Sequence, residues 1–213
     1  MKDISTSRIA QELKPYGIEA SEVLCQKIQR YICLLLRWNE RIALTTVTDP
    51  IEIVRFHFGE SIFALTSGMV KKCRLADVGT GAGFPGLALA LAEPGFDLTL
   101  IESNIKKSVF LREAARELAS EQLVKVSQTR MEDFAGGVTN GKFDCVTARA
   151  VGHFGQIVSF GRKHLSTGGR LVLWVGADDA AAISREYEEG WAWSNPKQIL
   201  GSDRRYLISG EIR

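Results

Sequence analysis

The stretch RLADVGTGAGFPG, from Arg74 to Gly86, decides how this chain is read. Leu75, Ala76 and Val78 make a short buried strand. Gly79, Gly81 and Gly83 make a turn whose backbone can take positive φ and let a ligand approach closely. Pro85 suits the first turn of a helix, where its missing N–H costs nothing. Leu87 to Leu91, apolar throughout, continue that helix. Strand, glycine turn and helix N-terminus together form a nucleotide-type cofactor site.

The spacing Gly81-Ala82-Gly83-Phe84-Pro85-Gly86 also fits a dinucleotide fingerprint. Asp77 argues against that ligand. It lies two residues before the first glycine, where its carboxylate is expected to face the same cleft and repel a pyrophosphate. It suits a ligand with an ammonium, a sulfonium and no phosphate, which describes S-adenosylmethionine. The pattern D-x-G-x-G-x-G resembles the first motif of class I methyltransferases. No Gly-Lys-Ser/Thr follows the glycines, so this is not a P-loop. Further on, DLTLIES from Asp97 to Ser103 reads as a second apolar strand ending in Glu102. That is roughly the twenty-residue offset at which an acid meets ribose hydroxyls in such folds. The plainer alternative is a turn that only joins strand to helix, with Glu102 a solvated strand end; agreement in both order and spacing favours the cofactor.

The 213 residues suit one α/β domain with a small appendage, and 45% hydrophobic with 24% charged residues is ordinary for a globular chain. A net charge of +2 neither demands nor excludes a nucleic-acid partner. Cys25, Cys33, Cys73 and Cys145 show no metal-ligand spacing, and their apolar contexts predict reduced thiols. The first residues carry no apolar signal core, and no apolar run reaches membrane-spanning length. A cytoplasmic, metal-free monomer is expected.

Residues 1–70 read as a helical extension and 71–213 as the cofactor-binding domain. Ile4, Ile9 and Leu13 recur at helical spacing, and Pro15 with Gly17 closes that segment. Ser21 caps a long helix through Trp38, with Val23, Leu24, Ile28, Ile32, Leu35 and Leu36 as its apolar stripe. Asp49-Pro50-Ile51-Glu52 is a helix start, and the helix carries Ile53, Val54, Phe56, Ile62, Phe63 and Leu65. From residue 74 strands and helices alternate, which predicts a parallel sheet covered on both faces. Further strands are expected at 123–127, 143–147, 171–175, 197–200 and 205–212. Helices are expected at 104–119, 153–165 and 178–189, with Gly168-Gly169 breaking the second. Gly136, Gly137 and Gly141 suggest a mobile loop.

Longer motifs narrow the resemblance. GTGAGFPG, IESNIKKSVFLRE at 101–113 and FDCVTARA at 143–150 resemble the RsmG family, also called GidB, the small-subunit rRNA guanine-N7 methyltransferases. YICLLLRWNERIALT at 31–45 resembles that family's opening helix, and HFGES at 57–61 its H-x-x-D-S. Ala43 stands where the family usually has Asn, Glu60 where it has Asp, and Trp174-Val175-Gly176 where Lys-Gly is common. The resemblance implies a Rossmann-like α/β class I methyltransferase fold with a mostly parallel seven-stranded sheet whose last strand is reversed. It implies S-adenosylmethionine as cofactor and 16S rRNA or the small ribosomal subunit as partner. It places the cofactor against Gly79 and Phe84, the Glu102-Ser103-Asn104 turn, Met131, Glu132 and Arg149, and it marks Arg149 and His57 as catalytic candidates. The residues agree in part: Met131 can lie on an adenine face or fill core, and Glu132 can meet the adenine amino group.

Methyl transfer from a sulfonium is an in-line displacement, so the protein mainly aligns the nucleophile and excludes water. Guanine N7 carries an in-plane lone pair and no proton, and needs no base. The residues after the fourth strand, Thr147-Ala148-Arg149-Ala150, lack the Asn/Asp-Pro-Pro-Tyr/Phe of amino-methylating enzymes. Cys145 sits inside a strand with no neighbouring base to activate it. Arg149 can bind the methionine carboxylate, a phosphate or a guanine O6 edge, or can pair with an acid such as Asp77 or Glu132. His57, Glu60 and Ser61 can touch substrate or merely pack. Lys71, Lys72, Lys106, Lys107, Arg112, Arg162, Lys163, Arg204 and Arg205 are candidate RNA contacts or solvated faces. Competing readings are a class I methyltransferase with another substrate, a non-catalytic cofactor- and RNA-binding assembly module, and a nicotinamide oxidoreductase. The last lacks a Tyr-x-x-x-Lys dyad.

Overall fold

The computed structural model describes residues 4–118, 124–136, 142–149, 152–202 and 204–213. Gly137, Gly141, Leu123, Ala119 and Ala150, read above as loop, strand or helix residues, lie outside them.

Helix α1 (Thr6–Leu13) is capped by the Ser5 side chain and runs into a 3-10 turn, Lys14–Tyr16, which Gly17 closes at φ 71°. Helix α2 (Glu22–Asn39) starts where Ser21 Oγ accepts the Leu24 N–H. Val23 leaves the expected stripe: at the second helical position it faces solvent, 61% exposed. Asp49 caps α3 (Pro50–Glu52) by accepting two N–H groups, from Ile51 and Glu52. The regular helix expected beyond it is interrupted by a π-helix over Ile53–Gly59 before α4 (Glu60–Thr66) resumes. The wider winding puts Phe58, five residues after Ile53, on the buried face with Ile53 and Val54 and leaves Phe56 outside. Tyr16 packs where a Cβ on Gly59 would come within 2.5 Å of its ring, so a side chain there would expel it.

The remaining elements alternate. They are β1 (Arg74–Val78), α5 (Gly86–Ala92), β2 (Asp97–Ile101), α6 (Ile105–Leu118), β3 (Val124–Ser127) and β4 (Phe143–Arg149), followed by α7 (Phe154–His164), β5 (Leu165–Val175), α8 (Ala177–Glu186), β6 (Trp191–Trp193), β7 (Lys197–Gln198) and β8 (Tyr206–Ile212). Pro85 sits at the N-cap of α5 rather than inside its first turn, after a cis peptide bond from Phe84. β5 begins at Leu165, earlier than expected. The pair Gly168-Gly169 does not end the strand; the ladder with β4 shifts register there, and Gly168 takes φ 73°.

One sheet holds all eight strands in the order β3-β2-β1-β4-β5-β8-β6, with β7 also on β8. β1 to β5 pair parallel, and β8 runs antiparallel to β5. The strand count exceeds the seven expected because the edge is broken in two: β6 pairs with Gly210–Ile212 and β7 with Tyr206–Leu207. Pro196, which has no N–H for a ladder, stands between them.

Side chains alternate between the two faces. Leu75, Cys145, Val172 and Trp174 join the core under the N-terminal helices, α5 and α6. Ala76, Val78, Val146, Leu171 and Leu173 join the core under α7 and α8. The order reverses between β1 and β4, the switch point where open α/β sheets leave a crevice beyond the strands' carboxyl ends. No described helix is long and apolar enough to cross a membrane.

Candidate active site

A cleft of about 470 Å³ opens at that switch point. Its floor is the end of β1, Val78 and Gly79. One wall is the end of β2, Ile101, Glu102 and Ser103; the other comes from Thr129–Glu132 and from Gly152, His153, Gln156 and Ile157 at the start of α7. Gly79, Glu102, Ser103, Met131 and Glu132 are therefore brought together as expected. Thr129, Arg130, Gly152, Gln156 and Ile157 were not singled out by sequence, and His153 was read only as a helix start. Their signal was positional: they follow β3 and β4, the strands on either side of the switch region.

The glycine turn is held by Glu102 from the cleft wall and by Tyr31 from α2. Gly79, Gly81 and Gly83 take φ of 64°, 58° and 85°. Glu102, 8% exposed, accepts the Gly81 N–H at 3.0 Å on one oxygen and the Asn104 N–H at 2.8 Å on the other. Asn104 turns away to cap α6, accepting the Lys107 N–H. Gly83 faces Tyr31 of α2, whose hydroxyl donates to the Ala82 carbonyl at 2.6 Å. A Cβ on Gly83 would lie 2.3 Å from that hydroxyl oxygen.

Asp77 corrects its sequence reading. It is wholly buried and does not face the cleft. One carboxylate oxygen accepts the Gly86 N–H at 2.9 Å and the other accepts the Thr147 hydroxyl at 2.8 Å. The residue ties β1, β4 and the start of α5 to one another. Burial pushes its pKa up from 3.8 to about 6, against the pull of those hydrogen bonds. A Cβ on Gly86 would meet it at 2.8 Å, so the third-motif glycine serves close packing against this carboxylate.

The turn ends in a second cluster beside the cleft. Phe84 stacks on His57 at 4.8 Å between ring centroids and meets Tyr31 and Phe58 edge-on or tilted. His57 Nε2 and Thr45 Oγ1 are 2.8 Å apart. Burial, aided by the Arg149 charge, lowers the His57 pKa from 6.5 to about 4, so the ring is neutral at pH 7. Arg149, at the end of β4, pairs with Glu60, not with Asp77 or Glu132: Nη2 donates to Glu60 Oε2 at 2.7 Å and to the Phe56 carbonyl at 2.6 Å. Trp174 Nε1 donates to the Glu60 carbonyl at 2.8 Å. Burial depresses the Arg149 pKa and raises that of Glu60, each opposed by the partner's charge. Glu60 as the partner of Arg149 was not read from sequence, since the two are far apart in the chain. Phe84, Gly81, Gly83, Asn104, His57 and Arg149 thus stand behind or beside the cleft rather than on its wall.

The sequence from residue 24 to residue 198 matches the family described as GidB, rRNA small subunit methyltransferase G. This chain belongs to the GidB family. It is 38% identical over 183 residues to a ribosomal RNA small subunit methyltransferase G of Stenotrophomonas maltophilia strain K279a, covering 86% of this chain and 82% of that one. It is 35% identical over 210 residues to the protein of that description in Xanthomonas campestris pv. campestris strain 8004, covering 97% and 94%. Among solved structures, the glycopeptide N-methyltransferase MtfA complexed with S-adenosylhomocysteine shares the fold, with TM-score 0.57, 13% identity and 73% and 90% coverage. The GidB chain is a methyltransferase, and its cofactor is S-adenosylmethionine.

The cleft fits that cofactor. Its volume lies in the usual range for small-ligand sites. Glu102 has no cationic partner among the described residues. Its oxygens are anchored by two backbone N–H groups and keep lone pairs for a sugar's hydroxyls, while the same charge disfavours a phosphate. Met131, half-buried on the wall, offers an apolar face for a purine, and the buried Val78, Ile101 and Ile157 make the lining around it apolar.

Proposed function

We propose that this chain transfers a methyl group to N7 of a guanine in small-subunit (16S) rRNA, acting as a cytoplasmic monomer on the RNA or the small ribosomal subunit. In this reading residues 1–70 are a helical extension to a cofactor domain over 71–213. The observation that carries it is the family match over residues 24–198, a span that includes the cleft, His57 and the Glu60–Arg149 pair. The described cysteines are free thiols, in keeping with a reducing compartment.

S-adenosylmethionine supplies a methyl group already activated on sulfur. The residues here then have a task of holding rather than of proton transfer. Glu102, fixed by Gly81 and Asn104, orients ribose hydroxyls. Gly79 lets the backbone come close, and Met131 would lie against the adenine. Guanine N7 offers a lone pair and carries no proton, so alignment and exclusion of water suffice. His57, neutral and stacked on Phe84, fixes the end of the glycine turn. Arg149, its guanidinium already engaged by Glu60 and Phe56, holds the π-helix against the end of β4 and so shapes the side from which the base arrives. Cys145 is no nucleophile: a hydrogen bond with Cys73 and burial raise its thiol pKa well above the usual value.

The test uses labelled S-adenosylmethionine with small subunits and free 16S rRNA from cells lacking this gene. Borohydride and aniline then cleave at N7-methylguanine. One new cleavage site is expected. Cofactor binding without label entering RNA would refute the reading.

A further inference from the structure

Among the described residues five large apolar side chains are exposed, and Phe56 is the one aromatic, 38% exposed. A lone exposed phenylalanine is ordinary. This one is presented by an unusually fixed backbone. It lies within the π-helix, its carbonyl is held by Arg149 Nη2 at 2.6 Å, and the next residue, His57, is stacked on Phe84 and bonded to Thr45. π-Helical bulges gather at functional sites.

Its place is equally specific. Arg149 ends β4, and three residues later Gly152 lines the cleft. Phe84 ends the turn that begins at the cleft with Gly79. Phe56 is therefore tied through its carbonyl to the carboxyl end of β4, the end of the sheet at which the cleft opens. Arg205, exposed and close enough to act on both Glu60 and Arg149, adds positive charge there. An exposed ring with the exposed Arg205 close by, at the carboxyl end of the sheet that holds the cofactor cleft, matches how proteins hold unpaired nucleotides: stacking on the ring, with the phosphates attracted by the cation.

We propose that Phe56 is the platform on which a base of the bound RNA stacks; in the reading above, that base is the target guanine or its immediate neighbour. The proposal rests on the rRNA reading above. Four full-length proteins test it: wild type, Phe56→Ala, Phe56→Leu and Phe56→Trp. Leu keeps apolar bulk without a π face, and Trp keeps the face. Fluorescence anisotropy with a labelled, guanine-containing single-stranded oligoribonucleotide reads binding, and steady-state methylation of unmethylated small subunits reads KM and kcat.

Ala and Leu should each weaken the oligoribonucleotide and raise the RNA KM by about tenfold, with a smaller change in kcat, and Trp should restore both. Leu matching wild type, or Ala unchanged, overturns the platform. Weakened RNA binding in Ala and Leu, with no methylation by any of the four, supports the platform and refutes the guanine-N7 reading. Methylation by wild type with Ala its equal refutes the platform and leaves that reading standing.

Discussion

Replacing Asp77 by Asn isolates the cost of the carboxylate buried under the glycine turn. The side chain is wholly buried, with one oxygen on the Gly86 N–H and the other on the Thr147 hydroxyl. Asn preserves both contacts: its carbonyl accepts from Gly86, and its NH₂ donates to the Thr147 oxygen. What it removes is the charge. Burial raises the Asp77 pKa from 3.8 to about 6, a rise worth about 3 kcal/mol. A raised pKa means the folded state binds the proton more tightly than the unfolded chain. This contribution is fully present below pH 3.8 and is lost as pH rises through about 6. Wild type carries that loss and Asp77→Asn does not. The stability of the variant minus that of wild type should therefore grow by about 2.4 kcal/mol between pH 4 and pH 7, most of the full shift. His57 titrates in the opposite sense over the same range, but it is present in both proteins and cancels in the difference. Urea unfolding of both proteins at four pH values measures the gap. A gap that stays flat or narrows as pH rises would refute the reasoning, because the Gly86 and Thr147 donors would then outweigh burial.

Arg149→Ala leaves the carboxylate of Glu60, 2% exposed, without its cation, and should cost about 3–5 kcal/mol in urea unfolding and slow RNA methylation. The double variant Glu60→Gln, Arg149→Met should recover most of that stability; if it is as unstable as the single variant, the pair is not the cause. Gly83→Ala forces a Cβ against the Tyr31 hydroxyl at φ 85° and should abolish cofactor binding in calorimetry, whereas Tyr31→Phe keeps the shape, drops the bond to Ala82 and should cost about 1–2 kcal/mol. His57 has a folded pKa of about 4, so its own contribution is lost as pH falls from 6.5 towards 4, and the stability of His57→Gln minus that of wild type should grow over that range. Equal slopes would mean that His57 is not held neutral.

Where chemistry is written in local spacing, the sequence was legible. Ser21 and Asp49 were recognisable as caps because a short oxygen-bearing side chain before an apolar-periodic run satisfies orphan N–H groups nearby in the chain. Glu102 was recognisable at the end of the second strand because its partners, Gly81 and Asn104, belong to the same βαβ unit. The π-helix was not legible, since one inserted residue in a helical turn hardly alters an apolar pattern. Nor was β6, whose Trp191 and Trp193 make a three-residue strand only because β8 lies alongside.

By itself the sequence determined the sheet's alternation with helices, the glycine turn, the acid at the end of β2 and the family to which the chain belongs, because each depends on residues close in the chain or on a pattern of residue types. Only the tertiary structure decided which way the charged side chains point. Asp77 turns inward, since the α5 N-terminus and Thr147 offer it donors in the core. Arg149 pairs with Glu60, 89 residues away, since the fold brings the π-helix to the end of β4 and burial makes an unpaired charge there costly. Phe56 stays outside because the π-helical winding gives its place in the core to Phe58.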